Sequence, residues 1–134
     1  MIIMCLNVCF FGYILFHMTY HPKEAPEDVI KEEDIFGTDY GFGVNVEGEL
    51  IFAKFTDTNS MIPVLDFGHN SIELKCPCDI KVGDIISFMY EEKLIAHRVI
   101  EVKSNMYKTK GDNSLGSYWV KEEDVKGKVI AILY

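Results

Sequence analysis

Three short polar groups interrupt apolar, strand-forming stretches of the chain, and each carries a side chain that could do chemistry. Thr58-Asn59-Ser60-Met61-Ile62-Pro63 follows directly on the apolar run Leu50 to Phe55. A serine hydroxyl becomes a nucleophile only when a base takes its proton, so on this evidence alone Asn59-Ser60 reads better as a turn. Leu94-Ile95-Ala96-His97-Arg98-Val99-Ile100 is a run of strand formers broken by two basic residues. An imidazole titrates near neutrality and so could be that base. A half-buried histidine satisfied by a backbone carbonyl is the plainer alternative. Thr109-Lys110-Gly111-Asp112-Asn113 carries a Gly-Asp-Asn turn signal. Its aspartate could orient and compensate a histidine, as the third member of a triad does, or simply form the turn.

The elements that must hold these groups are short and β-like. Strands are expected at Phe42 to Val46, Leu50 to Phe55, Ser71 to Leu74, Asp84 to Tyr90, Lys93 to Val102, Tyr107 to Lys110 and Lys128 to Leu133. All are rich in Val, Ile, Phe and Tyr, and turn residues such as Glu47-Gly48, Val82-Gly83 and Glu91-Glu92 separate them. Within the His97 run, alternation puts Leu94, Ala96 and Arg98 on one face and Ile95, His97 and Val99 on the other. A helical turn is expected between Trp119 and Lys126, through Lys121-Glu122-Glu123-Asp124. Residues 36–134 therefore read as one mostly-β domain joined by hairpins, not βαβ units.

Residues 1–20 are of a different kind, with no Asp, Glu, Lys or Arg. A helix of about twenty residues is about 30 Å long, the thickness of a bilayer's hydrocarbon core. A cleaved signal peptide would want a basic start and a small-residue cleavage site; Met18-Thr19-Tyr20-His21-Pro22 offers neither. A single uncleaved transmembrane helix is expected at 1–20. Residues 21–35 form an acidic connector, with a short helix from Pro26 to Glu33. Lys23 and Lys31 lie on the C-terminal side of the anchor and by the positive-inside rule weakly favour a cytoplasmic domain. The net charge of −8 argues against nucleic acid as a partner, because phosphate binding needs a basic patch and the sequence shows none. Cys76-Pro77-Cys78, with only His69 near, falls short of a metal-ligand set. A bridge across one residue would be strained, so free or separately paired thiols are expected.

Taken together, Ser60-Met61-Ile62-Pro63, Val82-Gly83-Asp84-Ile85-Ile86, His97-Arg98-Val99-Ile100 and Lys110-Gly111-Asp112-Asn113 resemble the four boxes of the signal peptidase I family, in the family's order. The resemblance spans roughly residues 52–133, and the closing segment Asp124 to Val129 and the N-terminal anchor fit it as well. Histidine at position 97 is similar to the archaeal and endoplasmic-reticulum branch; bacterial relatives carry lysine. The resemblance implies a signal-peptidase-like β domain on one membrane helix. It implies Ser60 as nucleophile, His97 as general base and Asp112 as orienting acid. The oxyanion would be held by the Ser60 N–H and the Thr58 hydroxyl. No cofactor and no metal are implied.

The substrates implied are exported precursor polypeptides, bound as an extended strand with small side chains near the cut. The peptidase domain would then lie on the extracytoplasmic side of a cell or secretory membrane, in contact with lipid and with possible secretion machinery, against the weak lysine vote. The chain departs from the family's pattern at Asn59, where glycine is usual, at Ile62, and at Tyr118, where the endoplasmic-reticulum branch has a second aspartate. The segment Asp66 to Asp79 is also longer and more polar than the pattern leads one to expect. A non-catalytic relative that binds exported peptides or a secretion partner is the alternative. A self-cleaving repressor-type peptidase would carry lysine at 97 and no anchor.

Overall fold

The computed structural model describes residues 30–134. The helix expected at 1–20 and most of the 21–35 connector lie outside the described residues. Among the described residues no helix is long and apolar enough to cross a membrane. The end of the connector is not the expected helix. Ile30 and Lys31 are non-helical, and Glu32–Asp34 makes one 3₁₀ turn, closed by the Lys31 N–H donating to the Asp34 carboxylate at 3.0 Å.

The domain is mostly β, as its Val-, Ile- and aromatic-rich stretches require. The described strands are β1 (Ile35–Thr38), β2 (Gly41–Val44), β3 (Leu50–Lys54), β4 (Asn70–Lys75), β5 (Ile85–Tyr90), β6 (Lys93–Lys103), β7 (Met106–Lys110), β8 (Ser117–Lys121) and β9 (Val125–Leu133). β1 and β2 form an antiparallel hairpin. The other seven make one sheet in the order β3-β4-β9-β5-β6-β7-β8, antiparallel throughout. The last strand therefore lies between β4 and β5, a non-local pairing that no hairpin signal announces. The expected hairpin turn at Glu91-Glu92 is present, with both residues at positive φ (46° and 64°), the backbone of the tight turns that match strand twist.

Two strands depart from expectation. β1 was not anticipated, because Gly37, Gly41 and Gly43 weaken any strand signal around it. β8 occupies the first part of the segment read as a helical turn, and only Glu122–Asp124 adopts 3₁₀ geometry.

The sheet buries residues on both faces of its central strands, and this sets up the site. Ile86, Phe88, Val99, Tyr107, Val120 and Val125 pack in one cluster together with Ile80. Met61, Leu65, Ile85 and Val129 pack in a second. Adjacent β5 residues Ile85 and Ile86 thus serve opposite faces, as period-two alternation demands.

Candidate active site

Ser60 lies in the loop that leaves β3. Asn59, just before it, has φ 56°, a left-handed conformation that asparagine tolerates better than most residues. Its side-chain amide donates to Asp57 at 3.2 Å. Met61, just after, is 4% exposed and packs with Leu65 in the second cluster, while the N–H groups of Val64 and Leu65 return to its carbonyl. A flexible polar turn is thereby pinned to the core by one apolar side chain, and the neighbouring hydroxyl stays half-buried at the surface. The Ser60 and Thr58 hydroxyls are 3.2 Å apart.

His97 stands on β6, opposite Ile86 of β5. Its ring lies between Phe88, centroids 6.0 Å apart, and Tyr118, centroids 5.6 Å apart. Tyr90 in turn packs on Tyr118 at 4.7 Å. Burial holds the imidazole pKa below its ordinary 6.5, and the nearby Asp112 charge offsets part of that. His97 is therefore a neutral base at pH 7. Among the described residues its buried Nδ1 has no hydrogen-bond partner, and neither does the Thr109 hydroxyl.

Nε2 is on the Ser60 side, and Gly111 is what allows the approach. A Cβ at position 111 would come within 3.0 Å of Nε2, 2.6 Å of the Ser60 carbonyl and 2.5 Å of Ser114 Oγ. The sequence marked Gly111 only as a turn residue; its function is steric. Asn113 completes the clamp, its N–H donating to the Ser60 carbonyl at 2.8 Å and its side-chain amide to the Asn59 carbonyl at 3.1 Å. The Asp112 N–H contacts Met61 Sδ at 3.4 Å.

Asp112 itself is not hydrogen-bonded to the histidine as a triad acid would be. Its carboxylate takes a bidentate pair from Arg98, Nε at 2.9 Å and Nη2 at 2.8 Å, with both side chains almost fully buried. Arg98 also donates to the Gly83 carbonyl at 2.8 Å. The planar guanidinium matches a carboxylate far better than a single imidazole N–H does. The aspartate therefore pairs with the residue after the histidine and acts on His97 through its charge alone. Tyr118, where the family pattern has a second acid, lays its ring against the imidazole. His97 is thus oriented by packing between two aromatic rings.

Asp84 accepts the Lys81 N–H at 2.9 Å, as a turn-former should, and forms an ion pair with Lys128 at 3.1 Å. The thiols expected to be free or separately paired are not. Cys76 and Cys78 are joined in a disulfide, their Cα atoms 4.5 Å apart and so within bonding reach. His69 accepts the Asp66 N–H at its Nδ1, 3.1 Å away. Among the described residues no group of three His, Cys, Asp or Glu side chains could hold a metal.

Ser60, Thr58, His97 and Tyr118 all line one cavity of about 610 Å³. Its walls are the segment 53–60 on one side and 93–97 on the other. Asp112 does not border it. Among the described residues the Ser60 hydroxyl bonds to Thr58 and not to the imidazole. Catalytic hydrogen bonds are often long in a free site and tighten only around substrate. No protein-family model, curated protein or solved structure matches the chain significantly.

Proposed function

We propose that the protein is a membrane-bound serine endopeptidase of the signal peptidase I type, which removes signal peptides or similar segments from exported precursors. The observation that carries this reading is the shared cavity: a hydroxyl, a neutral imidazole and a second hydroxyl on its walls, with Gly111 and Asn113 holding the serine loop close to His97. Ser60 attacks the scissile carbonyl as His97 Nε2 takes its proton. The Ser60 N–H and the Thr58 hydroxyl receive the oxyanion, the imidazolium protonates the leaving amine, and water releases the acyl-enzyme. The two walls suit an extended polypeptide laid between them. The domain works outside the cytoplasm, anchored by residues 1–20, without a cofactor.

The experiment is incubation of the full-length protein in detergent with a tagged precursor, beside Ser60→Ala. Cleavage by wild type alone is expected. Equal cleavage by both removes the nucleophile assignment. A second reading, a peptide-binding domain that does not cut, is favoured by two observations: among the described residues His97 Nδ1 has no partner, and Asp112 bonds to Arg98. Peptide binding without cleavage by either protein would establish it.

A further inference from the structure

Glu73, Asp84 and Asp112 carry deeply buried carboxylates, and two of them have a cation beside them. Asp84 meets Lys128 at 3.1 Å and Asp112 meets Arg98 at 2.8 Å. Glu73 on β4 is 1% exposed and has none among the described residues. Its partners are two neutral hydroxyls: Ser71 Oγ donates to Oε1 at 2.9 Å, and Ser87 Oγ to Oε2 at 2.6 Å. An ionised carboxylate removed from water without a counter-charge costs several kcal/mol. Packing does not explain why an acid stands here.

Its location does. Glu73 and Ser87 border the same cavity as Ser60 and His97. The carboxyl reaches across β9 at Gly127, opposite Ser87 in the register, to meet β5. Any side chain at 127 would close that path, since a Cβ there would come 2.7 Å from Oε2 and 3.1 Å from the Glu73 Cβ. Beside Ser87 stands Ala96 on β6, and beside Ser71 stands Ala53 on β3, both also on the cavity wall. The neighbours of this acid on the cavity wall are thus small residues, and two serines fix its orientation. A carboxylate oxygen accepts about two hydrogen bonds, and each Glu73 oxygen has one from serine, leaving acceptor capacity for a ligand. Lys54 and Lys93 border the cavity from exposed positions, and neither forms an ion pair with Glu73.

We propose that Glu73, held by Ser71 and Ser87, is a specificity-determining group of this cleft and receives the cationic side chain of a lysine or arginine in the bound polypeptide. The inference rests on the reading of the cleft as a polypeptide site. It narrows the substrates to those with a basic residue close to the segment that lies across Ser60.

The test is binding, so that it stands apart from catalysis. Full-length Ser60→Ala in detergent is titrated with end-capped fluorescent peptides in which one lysine is walked along a neutral scaffold. Each peptide is paired with a twin carrying Nε-acetyl-lysine at the same position. At one position the lysine peptide should bind about tenfold or more tightly than its twin, with the difference shrinking as salt rises. Glu73→Gln in the same background should abolish the difference, with thermal melts verifying its fold. The twin comparison on protein with Glu73 intact needs no variant at that site. Equal binding of twins at every position, no binding by any peptide, or a preference that survives in folded Glu73→Gln would each overturn the assignment. Cleavage assays with Ser60 present separate the two claims. A charge preference in binding without cleavage keeps Glu73 and removes the peptidase; cleavage with no charge preference does the reverse.

Discussion

At the scale of single residues, His97 and Thr58 carry the sharpest expectations. Burial holds the His97 pKa below 6.5 in the folded protein. If His97 is the base, turnover should therefore fall on acidification with its half-maximum below pH 6.5, since only a neutral ring can accept the Ser60 proton. A half-maximum above pH 6.5 would contradict this. The same depression makes stability pH-dependent. An unfolded histidine takes up a proton as pH falls through 6.5, while the folded one resists until a lower pH. The contribution is thus full above the unfolded value and lost as pH falls through the folded one. Urea titrations of wild type and His97→Gln should diverge across that window and run parallel outside it. The Thr58 hydroxyl stands 3.2 Å from that of Ser60. Thr58→Val should lower turnover by about a hundredfold to a thousandfold, and Thr58→Ser far less, if the hydroxyl receives the oxyanion. Near-normal turnover in Val would make Thr58 a turn residue only.

At the scale of elements, the loop after β7 binds the site together. Its turn residues look interchangeable with those of any hairpin, yet each has a separate task. Gly111 makes room, Asp112 pairs with Arg98, and Asn113 grips the Ser60 carbonyl. Gly111→Ala should push the serine loop away from the imidazole, and a misplacement of about 1 Å costs roughly a hundredfold in rate. The melting temperature should change much less than the rate. Asp112→Asn should behave differently from a triad mutant. Removing one partner of a buried ion pair costs about 3–5 kcal/mol, so the variant should lose stability as well as activity. If Asp112→Asn keeps the wild-type melting temperature while turnover collapses, the aspartate is acting on His97 directly and the Arg98 pair is incidental.

At the scale of the whole molecule, β9 is the strand on which the sheet depends. It pairs with β4 on one side and β5 on the other, and Lys128 on it neutralises the buried Asp84. Lys128→Met should leave that carboxylate without its ion-pair partner and destabilise the fold by about 3–5 kcal/mol. Double substitution with Asp84→Leu should recover much of the loss, because a buried pair exchanged for apolar groups is often neutral. Chemical denaturation of the three variants measures both quantities. No recovery would mean that Asp84 matters chiefly through its turn with Lys81.

Local chemistry was enough to show a mostly-β domain, most of its strands and the hairpin at Glu91-Glu92. Those features follow from side-chain alternation and turn propensity, which act over a few neighbours. Ser60, Thr58 and His97 were brought together by the resemblance of four boxes, because each residue by itself reads as a turn or a half-buried strand position. Partner choice is not local. Asp112 has Arg98 rather than His97, and Asp84 meets Lys128 from a distant strand, because strand register sets which charges share a buried face. Glu73 gave no signal, as a charged residue in a strand ordinarily faces solvent. Only the insertion of β9 between β4 and β5, with Gly127 as the gap, carries that acid into the wall of the cleft. The segment that seemed too long between the first two boxes is the one that contains it.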